Sequence, residues 1–90
     1  MNKIAATFNR AGKRYYKAGK YTEAVDAFMT GIAYDPKNAS LRYNLAAALF
    51  KSGDYSSSAL EAEKALAIDP DYEKARDLLD SLRAMWLVDK

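Results

Sequence analysis

The chain has 90 residues, 50% of them hydrophobic and 29% charged, and a net charge of +2. It has no cysteine and no histidine, which excludes disulfides, thiolate chemistry, ordinary zinc sites and the usual general base at neutral pH. Its longest apolar run falls far short of the ~20 residues that span a bilayer, and MNKIAATFNR lacks the apolar stretch of a leader. A single soluble, cytoplasmic domain over residues 1–90 is the expectation, with no cofactor or metal.

Taken in chain order, apolar and small residues recur at helical spacing. Ile4, Phe8, Ala11, Gly12, Tyr15 and Ala18 mark one side of a first helix, which Gly19 stops by accepting a left-handed conformation. Tyr21, Ala24, Val25, Phe28, Gly31 and Ile32 mark a second, ended at Asp35-Pro36 because the residue before proline is driven off helical angles. Leu41, Leu45, Ala48 and Leu49 mark a third, broken at Gly53; Tyr55, Ala59, Ala62 and Leu66 mark a fourth, ended at Asp69-Pro70. Ser56, Ser57 and Ser58 read as its start, with hydroxyls capping free amides. Leu78, Leu79, Leu82, Met85 and Trp86 share a face of a fifth helix. No stretch alternates long enough to be a strand.

The stretch KAGKYTEAVDAFMTGIAYDP returns thirty-four residues later as KSGDYSSSALEAEKALAIDP. In that register Gly19 pairs with Gly53, Tyr21 with Tyr55, Asp35 with Asp69 and Pro36 with Pro70. Small residues pair as well: Gly12 with Ala46, Ala24 with Ser58, and Gly31 with Ala65. Small side chains at fixed points on consecutive helices let backbones approach closely, and the tyrosine after each turn fills the wedge between them. This period and pattern resemble the tetratricopeptide repeat, a helix–turn–helix unit that stacks into a solenoid.

The resemblance implies an all-α, right-handed solenoid of five helices. Repeats over about 5–38 and 39–72 would be followed by a capping helix over about 73–88. The early tryptophan common in the family is absent, its place held by Phe8 and Arg42, and Ala62 stands where the first repeat has the aromatic Phe28. Thr7 and Arg14 stand where the second repeat has Leu41 and Ala48, so the outer side of the first helix suits water. Asp80 and Arg83 would solvate the free side of the last helix while Ala75, Leu78, Leu82 and Met85 cover the second repeat.

No catalytic constellation is visible. The carboxylates read as scattered over exposed faces, and no glycine-rich phosphate loop occurs. The expected function is therefore non-enzymatic recognition of a partner protein or peptide by an adaptor, co-chaperone or assembly scaffold. In the family, the first helices of successive repeats line a concave groove. That resemblance implies Asn9, Lys13, Tyr16 and Lys17 from the first repeat; Tyr43, Asn44, Ala47, Phe50 and Lys51 from the second; and Lys74, Asp77 and Ser81 from the cap. Lysines, amides and aromatics against one acid suit an acidic or C-terminal segment.

One family subgroup grips the terminal carboxylate of large heat-shock chaperones with a five-residue clamp. Asn44 and Lys74 match it, Asn9 and Lys13 carry the two first-repeat residue types in exchanged order, and Leu78 replaces an arginine. Two alternatives use other surfaces. Leu87 and Val88 extend the last apolar run into a self-association patch. Arg10, Lys13, Arg14 and Lys17, in a leading stretch of twenty residues without an acid, form a basic stripe for nucleic acid or an anionic membrane. The low net charge and the lack of interleaved aromatics weigh against nucleic acid.

Overall fold

A computed structural model of the chain describes residues 2–88, without the side chains of Leu87 and Val88, so the patch read from those two lies outside the described residues. The described residues form five helices and no strand: α1 (Lys3–Lys17), α2 (Tyr21–Tyr34), α3 (Ala39–Ser52), α4 (Tyr55–Ile68) and α5 (Glu73–Val88). Among them, no helix is long and apolar enough to cross a membrane.

Helix ends follow from local chemistry. Asn2 caps α1 by accepting from the Ala5 amide at 2.7 Å, and its own amide donates to the Tyr34 carbonyl at 2.7 Å, tying the start of α1 to the end of α2. Asn38 caps α3 by accepting from the Leu41 amide at 3.0 Å. The short turns after α1 and α3 run through Gly19 and Gly53 at φ of +77° and +91°, where an L side chain would be strained.

The start of α4 corrects the serine reading. Its cap is Asp54, which accepts from the Ser57 amide at 3.2 Å. Ser58 is instead fully buried and donates to the Ala46 carbonyl of α3 at 2.7 Å, so it joins two helices that touch through small residues.

Each hairpin packs on the next through its second helix, α2 against α3 and α4 against α5. The equivalent helices α1, α3 and α5 also touch in sequence, whereas α2 and α4 do not. The stack therefore bends, with α1, α3 and α5 on its inner side. One core cluster joins Ala5, Ala24, Phe28, Ile32, Leu41, Leu45 and Ala48 across the two repeats. A second, of Ala46, Ala62 and Leu79, joins the second repeat to α5.

In α1 the expected apolar side is rotated. Ala5 and Gly12 are buried, while Ile4, Tyr15 and Ala18 are exposed. The buried line of α1 against α2 is held by its smallest residues. A Cβ on Gly12 would lie 2.4 Å from the Phe28 ring, and one on Gly31 would lie 3.2 Å from Leu41. In α5, Ala75, Leu79 and Leu82 are buried and Leu78 half-buried, but Met85 is exposed rather than covering the second repeat.

Not every carboxylate is on an exposed face. Glu61 is buried, and Arg42 reaches it at 3.2 Å while Lys64 approaches at 3.7 Å. Arg42 also donates from Nε and Nη2 to the Pro36 carbonyl, at 3.2 and 3.1 Å. Thirty-four residues on, Arg76 donates to the Pro70 carbonyl at 2.8 Å. An arginine six residues after each proline thus clips the inter-repeat loop to the following helix. In the second repeat this clip occupies the place where the family commonly has tryptophan.

Two stability outcomes are expected. Gly12→Ala forces the Phe28 ring aside and lowers stability by about 1–3 kcal/mol in thermal or urea unfolding. Arg42→Ala leaves Glu61 buried without its main partner and costs roughly 2–4 kcal/mol, whereas the Arg42→Leu/Glu61→Leu double variant recovers most of that loss.

Candidate ligand groove

On the inner side, α1 and α3 lie next to each other, and the residues at their junction form a hollow of about 160 Å³. Lys13, Tyr16 and Lys17 reach it from α1, and Tyr43, Asn44 and Ala47 from α3, with Phe28 of α2 at its base. All six from α1 and α3 are among the residues that the family resemblance implies for the groove. Phe28 was read only as core. It serves both purposes because Gly12 lets its ring slide under α1 toward the hollow.

Asn9 joins this group through Asn44, whose amide donates to the Asn9 carbonyl oxygen at 2.8 Å across the two repeats. That bond fixes both amides at the rim. By their chemistry each still has donor and acceptor capacity for a peptide backbone. Phe50 stands apart, packed edge-on against Tyr55 at 5.4 Å. Lys51, Lys74, Asp77 and Ser81 are exposed and do not line the hollow. Leu78, at the position of the absent clamp arginine, packs against the second core cluster.

Two features of the inner face escaped the sequence reading. Tyr72, in the loop before α5, stacks on Tyr43 with ring centroids 5.6 Å apart, extending the aromatic floor from α3 toward α5. Tyr16 meets Tyr21 edge-on at 5.4 Å, which braces it from behind. The signal for Tyr72 was present, since it closes the Asp-Pro-x-x loop immediately before α5, but nothing in the periodicity marks the direction of a loop side chain.

Electrostatically the hollow is basic with a neutral floor. Lys13 and Lys17, one turn apart on α1, are exposed at its rim, and Arg10 and Arg14 continue the positive flank of that helix. Burial raises the Tyr43 phenol above its ordinary 10.0, and the nearby Tyr16, Tyr72 and Asp77 add to the rise. Tyr43 therefore stays a neutral hydrogen-bond donor throughout the physiological range.

This architecture and parts of this sequence recur in known proteins. A family profile described as TPR repeat matches residues 12–53, and one described as tetratricopeptide repeat matches residues 39–72. The second TPR of Spaghetti (RPAP3), bound to the HSP90 peptide SRMEEVD, superposes with a TM-score of 0.90 at 30% identity, over 93% of this chain and 78% of that one. The second TPR domain of human RPAP3, in complex with the HSP70 peptide SGPTIEEVD, gives 0.85 at 31% identity, over 89% of this chain and 67% of that one. RNA polymerase II-associated protein 3 of Xenopus laevis is 38% identical over 64 residues, which is 71% of this chain and 10% of that protein. The chain belongs to the tetratricopeptide repeat family, and it spans about a tenth of the length of that curated relative.

The raised Tyr43 phenol carries a pH signature. Folded and unfolded chains both hold its proton below pH 10, so its contribution to stability is intact there. As pH rises beyond 10 the unfolded chain ionises first, and the contribution is lost as the folded group follows. Melting temperature is expected to fall more steeply above pH 10 in wild type than in Tyr43→Phe, as followed by circular dichroism.

Proposed function

We propose that the groove between α1 and α3 receives the acidic C-terminal segment of a partner protein, and that the module acts as a co-chaperone-type adaptor. The reading rests on one observation: two lysines, an asparagine pair and an aromatic floor converge on one hollow of the inner face. Lys13 and Lys17 supply ammonium groups for carboxylates, Asn9 and Asn44 hold peptide backbone, and Tyr16, Tyr43 and Ala47 receive an apolar side chain between the acids. Both peptides named above end in EEVD, which offers this combination of three carboxylate side chains, a terminal carboxylate and a valine.

Lys74 at the start of α5 extends the positive rim, and Lys51 does so at the end of α3; both are exposed and free to swing toward a bound chain. Exposed lysine pairs contribute only ~0–1 kcal/mol each. Affinity must therefore come from several acting together with the asparagines and the floor, and about −8 kcal/mol, or micromolar binding, is within reach. Recognition of this kind needs no reacting group.

Binding of a labelled peptide ending in EEVD, followed by fluorescence anisotropy, tests the proposal. Lys13→Glu and Asn44→Ala should each weaken it about tenfold, Lys74→Glu severalfold, and amidation of the peptide terminus should also weaken it. Equal affinity for wild type, Lys13→Glu and Lys74→Glu would eliminate the groove as the site.

A further inference from the structure

The last helix does not present the fully polar outer side that a cap requires. Tyr55, Ala59 and Glu63 of α4 and Leu79, Leu82 and Arg83 of α5 enclose a groove of about 580 Å³, over three times the volume of the concave hollow. Trp86, 65% exposed, stands at its α5 edge, and Tyr55 is 42% exposed opposite. The preceding repeat shows what belongs at such a place. There α3, which corresponds to α5 in the thirty-four-residue register, has α4 packed antiparallel along it. Among the described residues no helix stands in that relation to α5.

We propose that this groove is the contact surface of a two-fold dimer in which the α5 helices of two copies lie antiparallel, each filling the groove of the other. Direction is the first argument. A two-fold axis across the middle of α5 sets the second α5 antiparallel to the first, the course that α4 takes along α3. Register is the second. When the 16-residue helices overlap along their full length, position 79 of one copy stands level with position 82 of the other, over the buried Leu79 and Leu82 that floor the groove, so the same positions meet twice.

Charge is the third argument. Because α4 runs antiparallel to α5, the same overlap brings Arg83 of one copy level with Glu63 on the wall of the other, and this opposite-charge pair also forms twice. At the other end of the stack α1 exposes Ile4 and Tyr15 beside Thr7, Arg10 and Arg14, and the hollow of Phe8, Ala11 and Tyr15 is walled by Glu23 and Asp26, so a head-to-tail contact would press charge into an apolar groove. Helices about 24 Å long give a contact near the lower limit of specific interfaces, about 1,000 Å², which sets it among the weak, transient ones.

Sedimentation equilibrium of the 90-residue chain from about 10 μM to about 1 mM tests this, alongside emission from Trp86, the one tryptophan in the sequence. The mass should rise from one copy to two while the emission shifts to the blue. Glu63→Arg and Arg83→Glu, both at exposed positions that leave the helical spectrum unchanged, should each weaken the dimer about tenfold or more. An equimolar mixture of the two variants restores both opposite-charge contacts and should recover a mass of two copies. A monomer at 1 mM, growth beyond two copies, or a mixture no tighter than its components would overturn the proposal. None of these outcomes depends on peptide binding.

Discussion

The fold rests on the places where a side chain has been omitted so that two helices can touch. Gly12 admits the Phe28 ring within α1–α2, Gly31 admits Leu41 between repeats, and Ser58 lies so close to α3 that its hydroxyl bonds the Ala46 carbonyl. Each contact shortens one distance in the stack. Together they set how α1 and α3 sit beside each other, and hence the width of the hollow whose base is the same Phe28. On the proposed function, packing and recognition are coupled through one aromatic ring.

Much of this was legible in the sequence, because a repeated phrase reports its spacing twice. The glycine turns, the Asp-Pro stops and the small-residue pairs mark five helices and their order, and the family resemblance implied the six side chains of α1 and α3 that line one hollow. What escaped was chemistry that the period does not encode. A run of three serines does not say which hydroxyl is buried; the Asp54 side chain took the cap and left Ser58 to join helices. Glu61 looked like one surface acid among many until Arg42, at the place where the family commonly has tryptophan, was seen to reach it. On α1, the buried positions are the small Ala5 and Gly12, which hydrophobicity alone does not single out from the larger, exposed Ile4 and Tyr15.

The two faces of the stack divide the chemistry between them. The inner face sets lysines and amides above an aromatic floor, the surface proposed above for acidic, extended ligands. The end face at α4–α5 is largely apolar with one charge of each sign, the surface proposed above to receive a second copy. The Arg-to-proline-loop clips at Arg42 and Arg76 hold both arrangements in step, since each ties the entry of a new helix to the loop that delivers it.

The central claim is that α1 and α3, held together by these close contacts, act as one receptor surface. Backbone amide NMR during titration with an EEVD peptide examines it directly. The account predicts that amides of Lys13, Tyr16 and Lys17 in α1 and of Tyr43, Asn44 and Ala47 in α3 shift together, with a single saturation curve. Shifts confined to α2 and α4, or separate curves for α1 and α3, would contradict it.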